Sequence, residues 1–169
     1  NDEIIVNIPY FPEYKVFIEG QGGKPVFAKC SENLYLDIAE IESKINENTK
    51  AVLINSPNNP SGVIYPKENL EALATLLKEK QKEYSHPIFL ISDEPYRELV
   101  FTNEKPEFLP NIYDNTLVAY SWSKSLSLPG ERIGYILVPN KVTDHEDVFA
   151  AVGGAARVLG YVCAPSMFQ

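Results

Sequence analysis

A lysine stands in the run Ser121-Trp122-Ser123-Lys124, and Arg132 follows it eight residues later. A lysine amine attacks a carbonyl only when deprotonated, a state favoured by desolvation or by a second nearby cation. Ser121, Ser123 and Arg132 supply what a phosphate dianion needs, hydroxyl donors and a guanidinium fork. Schiff-base chemistry beside a phosphate anchor points to pyridoxal phosphate.

Other candidate residues lie upstream. Asp93 ends the apolar run Ile88-Phe89-Leu90-Ile91-Ser92. A carboxylate there costs desolvation energy unless a cation pairs with it, and a pyridinium nitrogen is such a cation. A helix cap or an ordinary ion pair is the commoner role for a lone aspartate at a strand end. Tyr96, three residues on, carries a hydroxyl that can donate to a phenolate oxygen; the alternative is a half-buried core tyrosine. Asn59 sits in the turn Asn58-Asn59-Pro60-Ser61-Gly62. Its amide can donate to the same oxygen, although Asn-Pro and Ser-Gly form turns in any case. A tight functional turn is also where a cis Asn59–Pro60 bond is expected. Phe11 follows the first apolar run and offers a flat ring for stacking, or plain core packing.

The elements that must position these residues alternate. Strands are expected at 4–7, 25–29, 51–55, 88–92 and 117–121, with 134–138 running back beside the last. Helices are expected at 14–19, ended by Gly20, Gly22 and Gly23, at 37–45 with Ile38, Ile41 and Ile45 in helical repeat, and at 66–84. The last of these puts Leu70, Leu73, Leu76 and Leu77 on one face. From Asp144 the chain reads as helix towards Gln169. Alternation of this kind predicts an α/β fold, a mostly parallel sheet with helices on both faces and one antiparallel strand. Function then belongs at the carboxyl ends of the strands, where the polar clusters lie.

Composition narrows the classes. With 44% apolar and 22% charged residues in 169, one domain with a sizeable core is expected. A net charge of −8 opposes a nucleic-acid partner. Cys30 and Cys163 stand far apart, which fits a reducing compartment, and His86 and His145 form no metal set. The apolar stretch 150–164 is too short and too polar to span a bilayer, so no membrane partner is expected. The chain opens on Asn1 and is read as a slice of a larger protein, with a complete small domain as the alternative.

Taken together, Asn59-Pro60-Ser61-Gly62, Asp93-Glu94-Pro95-Tyr96 and Ser121-x-Ser123-Lys124 with Arg132 resemble the fold-type I, pyridoxal phosphate-dependent class I/II aminotransferases, the aspartate aminotransferase superfamily. The similarity runs over essentially the whole chain, as the middle of the large cofactor-binding domain. It implies that Lys124 bonds the cofactor and then shuttles a proton, while Asp93 pairs with the ring nitrogen. It implies that Asn59 and Tyr96 donate to the phenolate oxygen, that Ser121 and Arg132 hold the phosphate with help from Ser123, and that Phe11 stacks on the ring. The substrates would be an amino acid and a 2-oxo acid, the full-length protein a homodimer, and the location cytoplasmic. A phosphate loop is expected upstream of Asn1, and a substrate-binding arginine in a small C-terminal domain downstream of Gln169. The segment 133–138 would then be an open sheet edge, and the isolated chain weakly active or inactive.

Two other readings stay open on these residues. A carbon–sulfur β-lyase or a related lyase, such as an aminocyclopropane carboxylate synthase, would use the same cofactor contacts. A non-catalytic cofactor-binding fragment or regulator module would also fit. A generic nucleotide-binding sheet finds little support, because no Gly-x-Gly-x-x-Gly follows a strand.

Overall fold

The computed structural model describes residues 2–166. Six strands form one sheet: β1 (Glu3–Ile8), β2 (Lys24–Lys29), β3 (Thr49–Asn55), β4 (Phe89–Asp93), β5 (Thr116–Ser121) and β6 (Gly134–Leu137). Their spatial order is β2-β1-β3-β4-β5-β6. All pairings are parallel except that of β5 with β6. The expected α/β class and the single antiparallel strand are both found.

Side-chain alternation along the strands builds two cores. Ile5, Val52, Ile54 and Leu90 point to one face and pack with the helices α2 (Ile38–Lys44) and α3 (Lys67–Tyr84). Val6 and Leu53 point to the other, where α1 (Glu13–Gly20) covers them with Tyr14 and Ile18. The leucines foreseen on one face of α3 are buried there. Asp37 caps α2 by accepting from the Glu40 amide at 3.0 Å, which satisfies one of the free first-turn N–H groups.

The chain leaves β1 towards β2 on one side and returns to β3 on the other. That reversal opens a crevice beyond the carboxyl ends of β1 and β3, where ligands bind in sheets of this kind. A four-residue helix, α4 (Trp122–Ser125), follows β5 directly.

The final helix, α5 (His145–Val158), ends well short of the expected reach. Gly160 adopts φ +90°, and the Tyr161 amide bonds back to the Ala156 carbonyl at 2.8 Å. This left-handed ending closes the helix. The remainder of that helical reading, at residues 167–169, lies outside the described residues. Strand β6 is the sheet edge, as expected, with Tyr135, Ile136 and Leu137 exposed. Among the described residues no helix is long and apolar enough to cross a membrane.

Candidate functional site

Three consecutive parallel strands deliver the polar clusters to one rim of the sheet. Strand β3 is apolar from Ala51 to Ile54 and ends at Asn55, which is buried. The turn that follows is held by its own groups. Asn58 accepts from the Ser61 amide and hydroxyl, and Gly62, at φ +74°, donates its amide to the Asn58 carbonyl. Only glycine takes that φ without strain. The Asn59–Pro60 bond is cis, as foreseen, and so are Ser56–Pro57 and Ile8–Pro9. The turn presents Asn59 towards the next strand.

Strand β4 ends at Asp93 and continues into Glu94-Pro95-Tyr96. Glu94 is 2% exposed. Its carboxylate accepts from the Ser92 hydroxyl at 2.8 Å and from the Arg97 guanidinium at 2.7 Å, while Arg97 also bonds the Pro106 and Glu107 carbonyls. A buried carboxylate satisfied in this way is a fixed anchor. It sets where Tyr96 projects. The Asn59 amide donates to the Tyr96 hydroxyl at 3.1 Å, and the Lys124 Nζ lies 5.8 Å from the centre of the Tyr96 ring. Asn59, Tyr96 and Lys124 thus meet from three strand ends.

Asp93 points to the α1 face of the sheet. The Tyr14 hydroxyl donates to its Oδ2 at 2.5 Å, and among the described residues Oδ1 takes no hydrogen bond. Burial raises the Asp93 carboxyl above its ordinary range, the Tyr14 bond pulls it down, and the Glu94 charge pushes it up again. Burial, and then the Asp93 charge, drive the Tyr14 phenol far above its own range, so it remains a donor. Phe11 lies edge-on to Tyr14, with ring centres 5.6 Å apart at 78°.

The hydroxyl and guanidinium candidates are less tightly gathered. Strand β6 brings the segment with Arg132 back beside the one carrying Ser121 and Ser123, through the pair Ser121–Gly134 and a bond from the Trp122 amide to the Ile133 carbonyl at 3.3 Å. Gly134 allows this approach, since a Cβ there would run into the Tyr120 carbonyl oxygen. Arg132 itself is exposed, adopts φ +51° and donates to the Pro129 carbonyl at 2.7 Å. Among the described residues no hydrogen bond joins it to Ser121 or Ser123. Lys124 is also exposed. The site is an open rim. A cavity of about 300 Å³ nearby is lined by Tyr35, Pro57, Val63 and Phe101, and by none of the candidate residues.

Two site residues were not singled out from sequence. Tyr14 stands in the first turn of α1, three residues after Phe11, and its amide donates to the Phe11 carbonyl at 3.1 Å in the turn that enters the helix. Asn55 is an amide at the end of an apolar strand, a place where a buried polar group requires partners.

An amine, a paired carboxylate, a phenol and a carboxamide at the carboxyl ends of β3, β4 and β5 make a site suited to an aldehyde-bearing aromatic cofactor. The sequence model for "Aminotransferase class I and II" matches residues 1–166, and the chain belongs to that family. It is 36% identical over 140 residues to the aspartate aminotransferase of Bacillus subtilis, covering 79% of this chain and 34% of that protein. It is 37% identical over 145 residues to the aspartate/prephenate aminotransferase of Thermus thermophilus, covering 83% of this chain and 36% of the relative. Among solved structures, an aminotransferase from Eubacterium rectale superposes with a TM-score of 0.97 at 55% identity, covering 99% of this chain and 42% of the other. The Thermus thermophilus aspartate aminotransferase superposes at 0.81 with 32% identity, over 98% and 40%. The chain spans about a third of the length of the curated relatives it matches.

Proposed function

We propose that this chain forms part of the cofactor-binding large domain of a longer pyridoxal phosphate-dependent aminotransferase, one that moves an amino group between an amino acid and a 2-oxo acid. The supporting observation is the meeting of Asn59, Tyr96 and Lys124 beside Asp93, from three adjacent strand ends. The donor set suits pyridoxal phosphate. Asp93 has one oxygen engaged by Tyr14 and the other available to a protonated ring nitrogen. Asn59 and Tyr96 supply donors for a phenolate oxygen, and an amine stands beside them.

When bound, the cofactor supplies an aldehyde carbon and an electron-withdrawing ring. The roles of the chain's own residues then follow from their chemistry. Lys124 would hold the cofactor through its amine and would move a proton at the reacting carbon. Asp93 keeps the ring nitrogen protonated. Asn59 and Tyr96 would donate to the phenolate oxygen, and Phe11 would supply a stacking face for the ring. Ser121, Ser123 and Arg132 hold the phosphate, which requires Arg132 to exchange its bond to the Pro129 carbonyl for the anion. Substrate-binding groups belong to the rest of the protein and to a second subunit of a homodimer. The free cysteines Cys30 and Cys163 favour a cytoplasmic location.

Borohydride reduction with pyridoxal phosphate present, followed by peptide mapping, tests the reading. The expected adduct is on Lys124; reduction without modification of Lys124 would overturn it. A 2-oxo acid released from an amino donor supports the aminotransferase, whereas pyruvate and ammonia from a cysteine-type substrate would assign a lyase instead.

A further inference from the structure

We infer that Tyr14 is a positioning residue that sets two cofactor contacts at once, the ring-nitrogen partner through its hydroxyl and the ring-stacking face through its aromatic edge. The inference rests on the cofactor reading above and goes beyond it. A carboxylate has two oxygens, and free rotation would let Asp93 present either one. The Tyr14 hydroxyl takes Oδ2 at 2.5 Å. The backbone of the same residue is pinned separately, because the Asn55 amide donates to the Asp93 carbonyl at 2.8 Å. Main chain and one oxygen are therefore both fixed, and Oδ1 is the atom left to face a ligand.

Tyr14 is itself held rigidly. It is 7% exposed and packs with Val6 and Ile18 in the core beneath α1. Its ring meets Phe11 edge-to-face, a geometry with preferred angles and distances. The turn entering α1, with Tyr14 in its first helical turn, thus connects the residue proposed to stack on the cofactor with the residue proposed to pair with its nitrogen. The bond also favours the charged form of Asp93, since a donor to a carboxylate stabilises the anion. Without it, the burial that penalises the Asp93 charge acts unopposed. Asp93 then holds the ring nitrogen protonated less firmly, and the ring withdraws electrons less.

The test uses the protein with bound pyridoxal phosphate and the variant Tyr14→Phe, which keeps the ring against Phe11 and removes only the hydroxyl. The readout is the pH midpoint of the bound cofactor's visible absorption, together with the cofactor dissociation constant. A less electron-poor ring raises that midpoint, by roughly half a unit or more, and weakens cofactor binding by about threefold to tenfold. Replacing Tyr14 with 3-fluorotyrosine, whose hydroxyl is a stronger donor of the same shape, lowers the midpoint. An unmoved midpoint in both variants overturns the inference. If Tyr14→Phe does not fold, the fluorotyrosine variant decides alone. Borohydride labelling of Lys124 in the same samples separates the two ideas: no label in the parent protein sinks the cofactor reading, while label with an unmoved midpoint sinks only the role of Tyr14.

Discussion

The side chain of Asn55 joins the ends of two strands: its Nδ2 donates to the Asp93 carbonyl at 2.8 Å, and its Oδ1 accepts from the Asn59 amide at 2.6 Å. Both partners belong to the candidate site, and Asn55 is 2% exposed. Asn55→Ala leaves the Asp93 carbonyl and the Asn59 amide, both partly buried, without these partners, each costing roughly 1–3 kcal/mol. A loss of about 2–4 kcal/mol in urea unfolding is expected, with weaker pyridoxal phosphate binding by the folded fraction. A loss below about 0.5 kcal/mol would show that neither bond matters.

Asp93 carries a stability cost that depends on pH. Its folded carboxyl titrates above the ordinary value because burial disfavours the charge. The folded state therefore holds the proton longer than the unfolded chain, whose aspartate titrates near 3.9. Stability from this group is present at low pH and is lost as pH rises through the raised value. Asp93→Asn removes the charge, so the ligand-free variant gains on the parent at pH 7 relative to pH 3. Denaturant midpoints at the two pH values check this, and an equal difference at both contradicts it. The same variant loses most of its cofactor affinity.

Glu3 has the opposite sign. The Lys24 hydrogen bond, then that from Asn46, holds its carboxyl below the usual range against the effect of burial. The stability it contributes is present above the unfolded value, near 4.3, and is lost as pH falls through the lowered folded one. Glu3→Gln should flatten the acid side of the stability curve between roughly pH 4.5 and pH 3. Thermal melts across that range would reveal an unchanged slope if the ion pair contributes nothing.

Gly134→Ala places a methyl against the Tyr120 carbonyl and near the Ser121 Cβ. The two antiparallel strands must part, at a cost of about 1–3 kcal/mol. The segment carrying Arg132 moves with β6, so phosphate competition for cofactor binding should weaken as well. Amide exchange along β5 and β6 would register the parting, and unchanged protection there would refute it.

Arg97→Ala removes the cation from Glu94 and from two loop carbonyls. Because the arginine side chain is 29% exposed, a loss of about 2–3 kcal/mol is expected, below the figure for a fully buried pair. Urea unfolding measures it, and a change under about 0.5 kcal/mol would mean that water replaces the guanidinium without penalty.

Much of this was legible along the chain because it depends on neighbours in sequence. The apolar runs ending in Asn55, Asp93 and Ser121 announced buried strands with polar ends, and the leucine spacing announced α3. The order of those strands was not legible, because parallel crossovers of many residues separate strands that lie side by side.

Residue types and local spacing determined that an amine, a carboxylate, a phenol and a carboxamide would end up at strand termini, since strand and helix periodicity is a local property. Tertiary structure alone decided that Tyr14 reaches Asp93 across 79 positions and that Arg132 turns to its own loop carbonyl. Such contacts depend on which strands adjoin and which way side chains face, and packing of the whole sheet sets both.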